Sequence, residues 1–149
     1  MPTIFATELE HLATKIFVRA GAPAADAELV ARLLVKSNLA GHDSHGVVRI
    51  PQYVDGIAIG RLRPGASLVV SDDGPTTARL RGGFNFGQVV LTRAAEMALD
   101  RSEGQPLAIV TATEYGHSGQ LGSYAEMLSS QGRIGPVSYT HLRAHETTN

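Results

Sequence analysis

The sequence predicts an α/β fold, an N-terminal helical platform followed by part of a mixed sheet. Three observations predict it. Apolar residues recur at three- and four-residue steps across residues 9–37, short β-branched runs bounded by Gly, Pro and Asp follow, and the run LAIVT leads into another helical pattern.

Leu9, Leu12, Ala13, Ile16, Phe17 and Ala20 fall on one side of a first helix, with Thr7 as its N-cap and Gly21 as its stop. Pro23 suits the first turn of a second helix, Asp26 and Glu28 suit its N-terminal dipole, and Leu29, Val30, Leu33, Leu34 and Ser37 mark its buried side. Gly41 ends it. After Gly60 the pattern changes: Pro64 and Gly65 precede a strand at residues 68–70, Asp72, Asp73, Gly74 and Pro75 close it, and residues 76–80 read as the return strand. GGFNFGQ, residues 82–88, is expected to be a glycine-rich turn, and Val89, Val90, Ala94, Met97 and Ala98 continue as a helix to about Ser102. Residues 107–111 are almost uninterruptedly apolar, which predicts a strand buried on both faces. TEYGHSG closes that strand before a helix carrying Leu121, Tyr124, Ala125 and Leu128, so His117 stands where a strand delivers side chains to a cleft.

A chain of 149 residues with 43% hydrophobic and 18% charged residues suits a single domain with a real core. The formal charge of -1 gives no footprint for nucleic acid or an anionic membrane. With no cysteine there are no disulfides, thiolate metal sites or cysteine nucleophiles, and a cytoplasmic protein is expected.

The densest polar cluster is GHDSHGVVRIPQY, residues 41–53. A helix starting near Ser44 would align His45, Arg49 and Tyr53 on one face, since residues four apart stack. That face suits a small organic acid. The Arg fork can hold a carboxylate in two hydrogen bonds, and a His titrates near neutrality. Each residue also has a plainer reading: His45 as a cap, Arg49 as a solvated cation, His117 as part of a tight turn between glycines, Tyr53 and Tyr124 as packing residues. His42, Asp43, His45 and His117 could alternatively hold zinc or iron in a metal-dependent hydrolase, and a non-catalytic fragment exposing core surface is a third possibility.

The last segment lacks either period. Residues 137–147, VSYTHLRAHET, read as the translation of a transposase adapter used in sequencing libraries. Residues 1–135 are therefore expected to be the biological part and 136–149 an artefactual tail, which excludes His141 and His145 from any site.

The paired helices, GHDSHGVVRIPQY, GGFNFGQ and the strand ending in YGHSGQLGSYA, in this order, resemble the malate/L-lactate dehydrogenase family of nicotinamide-dependent oxidoreductases over residues 1–135. That family's fold is not a Rossmann fold, and GGFNFG does not fit the spacing of the dinucleotide fingerprint. The resemblance implies a substrate pocket of Ser44, His45, Arg49 and Tyr53, with His117 in proton transfer. The resulting assignment is His117 or His45 as acid/base, Arg49 as carboxylate clamp, and Ser44 and Tyr53 as orienting donors. It also implies NAD or NADP as cofactor, a small 2-hydroxy or 2-oxo acid such as malate, lactate or ureidoglycolate as substrate, and a homodimer at full length. Full members are more than twice as long. The chain is thus expected to be truncated and inactive as it stands, with most cofactor-binding residues beyond it. The family's acidic partner for His117 would fall in the adapter-like tail.

Overall fold

The computed structural model describes residues 4–136. Residues 137–149, which include the adapter-like stretch 137–147 with His141 and His145, lie outside the described residues. Helices α1 (Ala6–Arg19) and α2 (Ala24–Leu39) form an antiparallel pair. Gly21, at φ +100°, makes the turn between them, in the left-handed region where glycine meets no Cβ penalty. The expected cap of α1 is corrected: Phe5 precedes the helix and Thr7 lies inside it, with no side-chain cap bond. Ala13 and Phe17 are its buried residues, whereas Leu12 is 49% exposed.

Two single 3₁₀ turns, Asp43–His45 and Val47–Arg49, lead into α3 (Ile50–Ala58). Strands β1 (Val69–Asp72), β2 (Thr77–Asn85) and β3 (Ile109–Tyr115) form a mixed sheet in the order β1-β2-β3, antiparallel between β1 and β2 and parallel between β2 and β3. The parallel pair is joined through α4 (Gly87–Arg101), which covers one face of the sheet. Helix α5 (Gly122–Ser130) follows β3. The predicted platform and mixed sheet are both present.

Two expectations about the sheet are corrected. The GGFNFGQ segment is no turn. It is the irregular end of β2 and the start of α4, with the β2–β3 register shifting between Arg81 and Asn85 and with Gly83 and Phe84 at φ +57° and +65°. The glycines serve close approach: a Cβ on Gly82 would lie 2.6 Å from Val90 Cγ2 and 2.8 Å from the Glu114 carbonyl oxygen. Nor is the last strand buried on both faces. Only Val110 and Ala112 pack against the cluster of Ala78, Leu80, Val90, Ala94 and Met97, while Ile109 and Tyr115 on the other face are 49% and 37% exposed. The larger core cluster unites α1 and α2 with Tyr53, Leu62 and Phe86, the Tyr53 ring lying 6.1 Å from Phe17 and 5.8 Å from Phe86.

Candidate active site

No continuous helix runs from Ser44 to Tyr53. Gly46 interrupts it in an extended conformation at φ -91°, and the last turn of α2 explains why. Asn38 donates from Nδ2 to Asp43 Oδ1 at 2.6 Å and accepts the Val47 N–H on Oδ1 at 2.9 Å. These bonds replace helical ones and press the backbone so close that a Cβ on Gly46 would sit 2.5 Å from Asn38 Cγ. His45, Arg49 and Tyr53 therefore do not share a helical face.

Tertiary structure brings them together instead. His117 follows β3 in a loop held from several sides. The Gly116 N–H donates to the Asn85 carbonyl at 3.0 Å, and the Tyr124 hydroxyl donates to the Ser118 carbonyl at 2.5 Å. Gly87 packs against the Gly116 and His117 carbonyl groups. Tyr53, only 2% exposed, has its hydroxyl 2.8 Å from His117 Nδ1, and the Gly119 N–H approaches the same nitrogen at 3.3 Å. The His45 ring stacks on the His117 ring, centroids 5.5 Å apart and planes 30° apart. His45 Nδ1 in turn lies 3.0 Å from Ser44 Oγ.

Burial lowers the His117 pKa below its ordinary 6.5, and the Arg49 guanidinium and His45 lower it further. Burial raises the Tyr53 pKa, against smaller lowering effects of the Gln88 hydrogen bond and Arg49. The site therefore holds a neutral phenol beside a neutral imidazole at pH 7. Arg49 donates from Nε to the Ser44 carbonyl at 2.6 Å and from one terminal nitrogen to Gln52 Oε1 at 2.8 Å. Among the described residues no carboxylate pairs with it, so its remaining donors are open to an anion. A cleft of about 340 Å³ opens beside His117 and Tyr53, walled by Leu62, Phe84 and Tyr115 and edged by Gln52 and Arg61.

All five sequence-derived site residues thus lie in one neighbourhood, with Ser44 touching His45 rather than the phenol. The alternative ligand set does not assemble: among the described residues no three His, Asp or Glu side chains converge as metal ligands. Sequence reasoning missed three polar residues that build the site. Asn38 shapes the 3₁₀ turns, and Asn85, 2% exposed, bonds the Phe86 N–H at 2.7 Å while its carbonyl holds the His117 loop. Gln88, 1% exposed, donates from Nε2 to the Tyr53 hydroxyl at 2.8 Å. The available signal for Gln88 was an uncharged polar residue in the first turn of an otherwise apolar helix face.

A family model, malate/L-lactate dehydrogenase, matches residues 4–144. The malate dehydrogenase of Pyrococcus abyssi is 35% identical over 136 residues, covering 91% of this chain and 37% of that protein. The L-sulfolactate dehydrogenase of Methanocaldococcus jannaschii is 31% identical, covering 85% of this chain and 37% of that protein. Among solved structures, the malate dehydrogenase of Pyrococcus horikoshii superposes with a TM-score of 0.84 at 33% identity, over 88% of this chain and 38% of that one. The chain spans little more than a third of the length of these relatives. Because the match runs through nearly every described element, in sequence and in fold alike, the chain belongs to the malate/L-lactate dehydrogenase family.

Proposed function

We propose that this chain is the acid-binding and proton-transfer part of an NAD(P)-dependent oxidoreductase acting on a small 2-hydroxy or 2-oxo acid. The observation that carries it is His117, held between Tyr53 and His45 beside a guanidinium with open donors.

The cleft fits the reacting end of a nicotinamide, because Leu62, Phe84 and Tyr115 offer apolar and aromatic walls beside His117. The described residues do not supply its phosphate cradle. The bare faces of Gly82 and Gly87 meet Val90, Glu114 and the Gly116–His117 backbone, leaving no room there for a pyrophosphate. When bound, the reduced nicotinamide supplies the hydride for C2 of the 2-oxo acid.

Arg49 grips the substrate carboxylate, and this changes His117 as well as orienting the acid. Burial remains the larger influence on His117, but the carboxylate offsets the Arg49 charge that also disfavours an imidazolium, and so eases its protonation when substrate is present. As negative charge builds on the carbonyl oxygen, the imidazolium donates that proton from Nε2 and the 2-hydroxy acid forms. In oxidation the neutral imidazole with its proton on Nδ1 and Nε2 bare removes the hydroxyl proton at Nε2. His45 is the second candidate for this role and, by stacking, holds the His117 plane. Ser44 fixes the His45 ring.

The test is oxidation of NADH and NADPH by the full-length protein against a panel of 2-oxo acids. His117→Ala is expected to lower kcat about 100-fold or more with little change in KM, as for loss of a general acid. Arg49→Ala is expected to raise KM with a smaller effect on kcat. Turnover near that of the parent in His117→Ala would transfer the acid/base role to His45.

A cytoplasmic homodimer is the proposed setting at full length, checked by sedimentation. No helix among the described residues is long and apolar enough to cross a membrane. Residues 136–149 are proposed to be foreign to the biological chain. The family match runs on to residue 144, so the decisive check is the source DNA, read past the Gly135 codon on unfragmented template.

A further inference from the structure

The Tyr53 hydroxyl stands between two groups, Gln88 Nε2 and His117 Nδ1, each at 2.8 Å. A phenol has one proton to give. Since Gln88 Nε2 can only donate, Tyr53 accepts from it and donates to His117 Nδ1, where the Gly119 N–H also arrives at 3.3 Å. With donors on Nδ1, the neutral ring carries its proton on Nε2. Gln88 Oε1 meanwhile is buried without a partner among the described residues. Such an atom calls for a physical reason, because desolvating an acceptor and leaving it unpaired is unfavourable.

We infer that Gln88 is a positioning residue for His117, its buried carboxamide acting through Tyr53 to set the direction of the hydrogen-bond chain and so the protonation of Nδ1. The inference rests on the proposed acid/base role of His117. An imidazolium needs Nδ1–H to donate, so Tyr53 must then accept, and the phenol proton needs an acceptor in turn. A half-turn of the Gln88 side-chain amide presents Oε1 for it. One carboxamide, carrying one acceptor and two donors, thus accommodates Nδ1 both bare, as in the resting neutral ring, and protonated, as in the imidazolium and in the neutral ring left when Nε2 gives up its proton. Histidines in many acid/base sites use a carboxylate at the second ring nitrogen, which favours the charged form throughout. Among the described residues a neutral phenol–carboxamide pair takes that position, while the charged or titratable groups around His117 are His45 and Arg49 from the 3₁₀ turns, Tyr53 from α3, and Arg61 and Tyr115 across the cleft. Among the described residues, none that the ring nitrogen contacts supplies an acidic counter-charge.

The test is 15N NMR titration of the His117 ring in the full 149-residue chain, at a concentration where light scattering shows no self-association, with the signals identified by their loss in His117→Gln. Gln88→Met keeps the length but removes donor and acceptor. It should lower the titration midpoint of His117 by about one to two pH units, the equivalent of leaving one buried hydroxyl proton unpaired. Gln88→Glu should raise it, because a carboxylate accepts the phenol proton at every step. In a Tyr53→Phe background the Gln88→Met effect should vanish, and the Gln88→Glu rise should shrink to the through-space attraction of the carboxylate. An unchanged midpoint in Gln88→Met, or a Gln88→Met effect that persists without the Tyr53 hydroxyl, would overturn the inference. If Gln88→Met does not fold, the Gln88→Glu rise decides alone: it should be clearly larger with the Tyr53 hydroxyl than in Tyr53→Phe, and an equal rise in both would overturn the inference. These measurements need neither cofactor nor substrate. A failed dehydrogenase assay beside a Tyr53-dependent shift would remove the enzymatic reading and leave the relay; activity without the shift would do the reverse.

Discussion

His117 is the residue on which the site turns, and its depressed pKa has a consequence for stability. The unfolded chain takes a proton at this histidine near 6.5, the folded chain only at lower pH. Between those values the unfolded state binds more protons, so stability falls as pH drops below about 6.5 and stops falling, for this group, below the folded pKa. The urea midpoint of the parent chain should therefore decline more between pH 7.5 and pH 5 than that of His117→Gln. Equal declines would show that burial, Arg49 and His45 do not act on the ring as the geometry requires. At this scale the sequence was informative about chemical type but not about partnership. His45, Arg49, Tyr53 and His117 stood out because their side chains are reactive or charged. Gln88 did not, because an amide in a helix is unremarkable until its burial and its contact with Tyr53 are known.

At the scale of elements, close backbone approach matters more than propensity. Gly87 begins α4 at the point where that helix touches the loop bearing His117, and a Cβ there would lie 2.5 Å from the Gly116 carbonyl oxygen. The obstacle is backbone, so it cannot swing aside as a flexible side chain would. Gly87→Ala is expected to cost about 1–3 kcal/mol, as overpacking does, and to lengthen the Tyr53–His117 hydrogen bond. Denaturation together with the His117 ring shifts would measure both, and a fully stable variant with parental shifts would contradict the packing. Gly46 is a different case, since its neighbour is the Asn38 side chain. The helical periods of α1, α2, α4 and α5 were legible because each repeats over two or more turns. The stretch from Ser44 to Tyr53 was not, because side-chain bonds from Asn38, remote in sequence from Val47, outcompete the helix there.

The whole molecule has one markedly open side. Among the described residues β3 pairs only with β2, and Leu107, Ile109 and Ile134 are 64%, 49% and 95% exposed. Leu107, Leu121, Leu128 and Ile134 also border an apolar groove over α4 and β3. An unpaired strand edge beside apolar surface favours self-association. The 149-residue chain is expected to scatter light increasingly with concentration, and Ile109→Lys to reduce this without loss of helical signal. A monodisperse chain at high concentration would show that the exposed side is masked. The apolar run of residues 107–111 misled on this point. A run of that kind reports what a strand prefers to be buried against, not whether neighbours are present.

By itself the sequence determined the class of fold, the order of its helices and strands, the set of reactive side chains and, through the ordered motifs, the family. These depend on local period, residue chemistry and spacing, all of which are properties of neighbours in the chain. Only the tertiary structure decided that His45 stacks on His117, that Tyr53 turns inward to meet Gln88, and that Gly46 breaks the expected helix. Those pairings join residues as far apart as 45 and 117, and they are selected by packing and by satisfaction of buried hydrogen bonds, which no local pattern encodes.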